Sequence, residues 1–329
     1  MNKKKLLPLG VLAAVVLLLA AALAVLSSLD ADETEEGVAL FSTPADSVTA
    51  IAYQDDESNV SLTKNDDGSW TLDSDPKLPI DADAVTEVLN GVTGMKAARS
   101  LEGSTLETAE TGLDAPTMQF SFTAEGANHT LIVGAENDIA GAYYVQVDGG
   151  TLYTVDSSAF VGLCKTPRQL YEAQDITDIE TSDVATMTLD TGDEVLSFTR
   201  DSDGNWTLDG DPDYALDQDT VSRMSSTICS LTTDWSITSP TADDQYGLDH
   251  PNAIVRLTAT DGRTVTCTFG STDPDDEDVA YLRASTDESV VYEIAANHLS
   301  CFAYNKESLK AATPETATAE TAGTADSSQ

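Results

Sequence analysis

Apolar and polar positions between residues 46 and 164 alternate in short runs, interrupted once by a helical spacing, and residues 183–305 repeat that order. Val48-Thr49-Ala50-Ile51-Ala52-Tyr53 and Asn59-Val60-Ser61-Leu62-Thr63 alternate as half-buried strands do. Asp67-Gly68 supplies a tight turn, with Gly68 free to take a positive φ, and Trp70-Thr71-Leu72 opens the next strand. Asp81 or Asp83 is placed to cap a helix over 84–92, which sets Val85, Val88, Leu89 and Val92 on one face. A short strand over 97–101 leads to the turn Gly112-Leu113-Asp114-Ala115-Pro116. Four more strands follow, over 117–122, 129–133, 143–147 and 152–155, and a short helix anchored by Phe160 closes the module.

The second copy keeps the order. Strands are expected over 185–189, 195–198 and from Trp206, the last after the Asp203-Gly204 turn. Asp217 or Asp219 precedes a helix with Val221, Met224, Ile228 and Leu231 on one face. A strand over 234–238 leads to Gly247-Leu248-Asp249-His250-Pro251. Strands over 253–259, 264–269, 280–283 and 290–294 follow, with a closing helix anchored by Leu299. Both copies keep a glycine after the second of these four strands (Gly134, Gly270), a tyrosine in the third (Tyr144, Tyr281) and another in the fourth (Tyr153, Tyr292). Two motifs sharing nearly one offset mean duplication. The expectation is an α+β chain of two tandem antiparallel-sheet-plus-helix repeats. In it Gly112 and Gly247 take a left-handed backbone, Leu113 and Leu248 plug the core, and Pro116 and Pro251 open strands where no N–H is needed. Trp70 and Trp206 cap one face of each sheet; surface tryptophans for sugar stacking are the alternative reading. Residues 165–182 join the copies, with Leu170, Ile176 and Ile179 apolar enough to pack between them.

The ends change the picture. Lys3, Lys4 and Lys5 precede an apolar run over 6–29, which at about 1.5 Å per residue spans roughly 36 Å, enough for a bilayer core. The lysines predict a cytoplasmic stub (1–5), a transmembrane anchor (6–29), a linker (30–45) and an exported remainder: a single-pass cell-membrane protein. A cleaved signal peptide, with Ala22-Leu23-Ala24 as its small-residue site, is the other reading. Residues 306–329 read as a disordered acidic and Ala/Thr tail.

Charge narrows the partners. The chain has 16 Lys+Arg against 57 Asp+Glu, a net charge of −41. Such a surface repels nucleic acid and anionic headgroups, so no nucleic-acid partner is expected. Cys164, Cys229, Cys267 and Cys301 form no C-x-x-C pair; free buried thiols are the default, and the second module could close a Cys229–Cys267 bridge.

The lysine-led span, the Asp-Gly-x-Trp turn and the repeated Gly-Leu-Asp-x-Pro turn resemble the DUF4340 family of bacterial membrane proteins over roughly residues 45–305. The first copy departs from the pattern at Thr111, where the second has Tyr246. The resemblance implies a membrane-tethered extracytoplasmic module, with relatives that look like companions of ABC-type transport or gliding-motility systems. It carries over no catalytic residues.

Searches for chemistry return little. His129, His250 and His298 sit in no metal spacing, and His298 with Cys301 lacks an orienting third group. There is no nucleophile elbow, phosphate loop or dinucleotide fingerprint. The 201–205 stretch misplaces the glycine of a calcium loop and reads as a hairpin turn, and the acidic run 273–278 reads as a solvated loop that leaves weak Ca²⁺ binding open. No catalytic, cofactor or metal residues are assigned. The residues singled out are structural: Gly68, Trp70, Gly112, Leu113, Asp114, Pro116, Gly204, Trp206, Gly247, Leu248, Asp249 and Pro251. The reading is a non-enzymatic accessory module for a transporter or other envelope protein. Its rival is a domain pair that binds a cation, glycan or peptide.

Overall fold

The computed structural model describes residues 37–312. The anchor expected over 6–29, its stub and the end of the tail lie outside the described residues. Among the described residues no helix is long and apolar enough to cross a membrane. The chain divides into two compact units: Asp81–Leu170 with the residues up to Ser74, and the chain from Tyr171 on with the short segment Asp75–Ile80.

Each unit is built on an eight-stranded antiparallel sheet. The first holds β2 (Val48–Gln54), β3 (Asn59–Lys64), β4 (Trp70–Leu72), β6 (Arg99–Ser100), β7 (Met118–Ala124), β8 (Ala127–Asn137), β9 (Ala142–Val147) and β10 (Leu152–Asp156), ordered β4-β3-β2-β7-β8-β9-β10-β6. A separate pair joins β1 (Val38–Ala39) to β5 (Lys96–Ala97). The second sheet holds β11 (Val184–Asp190), β12 (Val195–Arg200), β13 (Trp206–Leu208), β14 (Trp235–Ile237), β15 (Ala253–Ala259), β16 (Thr264–Thr272), β17 (Val279–Ala284) and β18 (Asp287–Ala295) in the corresponding order β13-β12-β11-β15-β16-β17-β18-β14. The tandem α+β repeat is therefore a property of the fold.

One helix crosses each sheet. Helix α1 (Ala82–Thr93) starts at Asp81, whose carboxylate accepts from the N–H groups of Asp83 and Ala84, and it buries Val85, Val88, Leu89 and Val92. In the second unit Asp217 caps the corresponding helix at Thr220, burying Val221, Met224 and Ile228 in the core of its sheet. Both caps are the first of the two aspartates offered by the sequence, because that one holds the extended backbone needed to turn its oxygen onto the helix N–H groups. The Asp-Gly turns place Gly68 at φ 91° and Gly204 at φ 90°. Trp70 and Trp206 are buried behind them, each with a cation 5.8 Å from its ring: Lys64 in one repeat, Arg200 in the other. Burial leaves neither ring free to stack on a sugar.

Four expectations are corrected. The linker over 30–45 reaches into the fold: β1 pairs with β5, and Phe41 is buried edge-on to Phe122 with ring centroids 5.0 Å apart. A two-residue strand carries too little alternation to register as one. Ile176 and Ile179 belong to the second core, and the Ile176 N–H donates to Leu231 as the Leu40 N–H does to Met95, so this linker stretch is the second copy's own first segment. The residues after 305 also fold. Leu309 is fully buried, and the Asp217 N–H donates to its carbonyl as that of Asp81 does to Leu170. The closing element of the second copy is a 3-10 helix, Ala296–Phe302, so the residue brought inward is Phe302, stacked on Phe269 at 4.6 Å, and Leu299 is only half-buried. A 3-10 helix repeats every three residues, which shifts the inward phase from that of an α-helix.

Candidate functional site

The Gly-Leu-Asp-x-Pro turn is locked onto its sheet by two glycines. Gly112 and Gly247 take the left-handed backbone, at φ 71° and 65°. A Cβ on Gly134 would lie 2.1 Å from the Thr111 carbonyl oxygen, and one on Gly270 would lie 2.0 Å from that of Tyr246. Only glycine lets the turn lie this close on the strand. Gly134 and Gly270 are within β8 and β16 rather than after them, at points where the pairing with β9 and β17 shifts register. The bulge bends the strand without ending it, which is why a glycine there reads as a terminus.

What differs is the residue next to this clasp. In the second repeat the turn is a 3-10 segment, Asp243–Tyr246, and the Tyr246 ring is buried with Leu248, Tyr281 and Val291, packed also by Ile237. Tyr246 meets Tyr281 edge-on at 5.0 Å, and its hydroxyl accepts from the Thr241 N–H at 3.2 Å. Arg283 seals the cluster with two 2.8 Å bonds to the Asp243 carboxylate, which hold that carboxyl below its ordinary range. Tyr281 donates to Asp273 at 2.6 Å; burial, then this carboxylate, raise its phenol.

The strand registers give the equivalents in the first repeat. Ser100 pairs with Tyr153 as Ser236 pairs with Tyr292, and Tyr153 pairs with Val145 as Tyr292 pairs with Leu282. Leu101, Leu113, Tyr144 and Leu152 therefore stand where the second repeat has Ile237, Leu248, Tyr281 and Val291. The plug and the seal are gone: Thr111 replaces Tyr246, Thr108 replaces Asp243 and Gln146 replaces Arg283. In their place is a pocket of about 260 Å³ lined by Leu101, Leu106, Leu113, Leu152, Thr111 and Glu102, among others. Leu106 is 44% exposed at its mouth, and Glu102 is the one charged residue in the lining.

Of the residues singled out from the sequence, Leu113 lines this pocket half-buried, and Leu248 sits in the small cluster with Tyr246. Neither plugs the main core, because the turn packs on the other face of the sheet: Tyr281 and Val291 alternate along their strands with Ala280, Leu282, Val290 and Tyr292, which face that core. Asp114 and Asp249 are exposed, and Pro116 and Pro251 precede β7 and β15 by two residues. A further cavity, of about 360 Å³, adjoins Asp190, Asp249 and His250, but the His250 side chain is 93% exposed and gains nothing from burial. The Asp201 carboxylate accepts from the N–H groups of Asp203 and Asn205, an ordinary hairpin turn. Asp273 and Asp276 likewise bond N–H groups of their own loop. Among the described residues no three His, Cys, Asp or Glu side chains converge on a metal position. The four cysteines are free, and burial pushes the Cys164 and Cys267 thiols up to about 12, away from thiolate chemistry.

The pocket escaped the sequence reading because its walls come from segments brought together only by strand register. Its one sequence signal was the Thr111–Tyr246 departure.

No curated protein and no solved structure matches the chain. A domain of unknown function, DUF4340, matches it over residues 70–207 and again over 206–321. The matches begin at the equivalent residues Trp70 and Trp206, two strands into each sheet, so the family's unit is out of step with the structural repeat. Covering most of the chain, the two matches make this protein a member of the DUF4340 family, in tandem.

Proposed function

We propose that the protein is a membrane-tethered, extracytoplasmic interaction module, without enzymatic activity of its own, that serves a transporter or other envelope protein through its first repeat. One observation carries the reading. The same niche is closed by Tyr246 in one copy and open in the other, while the clasp that builds it is kept in both. A fold that retains a scaffold twice and vacates one niche separates holding a shape from receiving something in it.

The pocket's size favours a side chain over a metabolite. At about 260 Å³ it falls below the roughly 300–1,000 Å³ of small-molecule sites. Four leucines set among polar side chains at a partly exposed mouth give the mix of apolar grip and polar rim on which protein interfaces anchor a side chain. With residues 6–29 in the bilayer, the described fold begins a few residues later at Gly37, within about 29 Å of the membrane. That reach favours a partner that is itself in the membrane.

The test is recovery of partners from solubilised membranes with the full chain and with Thr111→Tyr, which fills the niche in the manner of the second repeat. Loss of a specific co-purifying envelope protein in the variant is expected. Identical partners in identical amounts would overturn the proposal.

A further inference from the structure

We infer that the occupant of the first repeat's pocket is a tyrosine side chain of a partner polypeptide, carried between basic residues. The inference rests on the proposed interaction role and names the chemistry that role would recognise.

The protein itself contains the bound state. In the second repeat the niche made by Ile237, Leu248, Tyr281 and Val291 holds a tyrosine, with the ring edge-on to Tyr281 and the hydroxyl bonded by the Thr241 N–H. In the first repeat Leu101, Leu113 and Leu152 line the pocket at three of these wall positions, and Tyr144, at the fourth, lies outside its lining. The residue at the Thr241 position, counted back from the clasp glycine, is Leu106, which lines the pocket and has a backbone N–H at the same place in the chain. Here it donates to the Ser104 hydroxyl at 3.2 Å. That serine oxygen stands in for the phenol oxygen of the second repeat, and an incoming phenol takes the same N–H as acceptor. The second repeat's own occupant, an aromatic ring whose hydroxyl takes the N–H at this place in the chain, is what points to tyrosine.

Charge selects its neighbours. In the second repeat the mouth is neutralised internally by the Arg283–Asp243 pair. In the first, Gln146 and Thr108 replace that pair and leave Glu102 as the lining's only charge, on a chain carrying −41. Lysine or arginine beside the tyrosine would meet the glutamate and the general field, whereas acidic flanks would be repelled. Tyrosine and arginine are also the residues that most often anchor protein interfaces.

The experiment uses the full chain in nanodiscs with leucine methyl groups labelled for NMR, titrated with a capped Arg-Tyr-Lys peptide. Expected are shifts of the Leu101, Leu106, Leu113 and Leu152 methyls that saturate. Replacing the peptide's tyrosine by alanine, or its basic flanks by glutamate, should weaken binding at least about tenfold. Thr111→Tyr should abolish it. Leu106→Glu, at a partly exposed position that leaves the fold intact, should weaken it as well, so a misfolded Thr111→Tyr would not shelter the idea. Tyr246→Thr should open a second site, read from the methyl of Leu248. Binding that ignores the tyrosine, or that Thr111→Tyr leaves unchanged, overturns the inference. If Thr111→Tyr loses the membrane partner but the tyrosine peptide leaves the methyls still, the interaction role stands and only the tyrosine assignment falls. If neither changes, both fall.

Discussion

The two niches beside the clasp stand on sheets of the same strand order and differ most in three side chains. In the second repeat Tyr246, Asp243 and Arg283 fill and seal; in the first Thr111, Thr108 and Gln146 leave a pocket of about 260 Å³. The contrast shows how a duplicated fold divides its labour. The glycines that hold turn against strand cannot vary in either copy. The residues that only occupy the resulting hollow can, and in the first copy the hollow is lined by leucines and polar side chains instead of being filled.

The harshest way to break the comparison is to remove what both repeats share. Gly134→Ala or Gly270→Ala places a methyl about 2 Å from a backbone carbonyl oxygen that cannot rotate away. Each should destabilise its repeat by roughly 3 kcal/mol or more, the upper range for overpacking. Denaturant unfolding of each variant measures this, and near-equal losses are expected. A mild effect in either would mean the clasp is looser than its geometry.

Next comes making the repeats alike. Tyr246→Thr removes a ring that is buried except for 8% of its surface and should cost about 2–3 kcal/mol, less than full truncation of a buried aromatic. Thr111→Tyr, the reverse change, puts a ring at a residue only 1% exposed, so the gain of filling the pocket is offset by moving its walls and the net change should stay within about 1 kcal/mol. A larger loss at Tyr246→Thr than any change at Thr111→Tyr in thermal unfolding sharpens the comparison; equal losses break it.

Smaller still is the control at the helix starts. Asp81→Ala and Asp217→Ala each remove an N-cap and should cost about 1 kcal/mol alike, because the repeats do not differ there.

The mildest test is acid. Arg283 holds the Asp243 carboxyl below its ordinary value, and Tyr281 does the same for Asp273. Carboxyls depressed in the fold stabilise it above the unfolded value of about 3.9, and that contribution is lost as pH falls below it. Amide protection around Tyr246, measured against the intrinsic exchange rate at each pH, should therefore fall on going from about pH 5 to about pH 2 more than protection around Thr111, where no arginine–carboxylate pair stands. Parallel behaviour would show that the seal contributes nothing.

Much of the framework was legible because it is local. Asp67-Gly68 and Asp203-Gly204 announce their turns, and the stripe of Val85, Val88, Leu89 and Val92 announces its helix. Gly112 and Gly247 announce a left-handed residue. What escaped depends on distant partners or on phase. Val38–Ala39 is a strand only because Lys96–Ala97 is beside it. Phe302 displaced Leu299 because the closing helix winds tighter than an α-helix. The pocket needed Leu101, Leu113 and Leu152 gathered from three segments. Only Thr111 facing Tyr246 in the alignment of the copies hinted at it.

The identical strand order of the two sheets has a kinetic side. β7 receives the β2–β3 hairpin and β15 receives β11–β12 through matching registers, so each hairpin is a near-fit for the other's seat. Synthesis resolves the rivalry by timing, since the first hairpin and β7 emerge and can pair before β11 exists. A chain refolding whole from denaturant has no such head start. It should pass through strand-exchanged species, within one molecule or between two, that a chain folding as it emerges avoids.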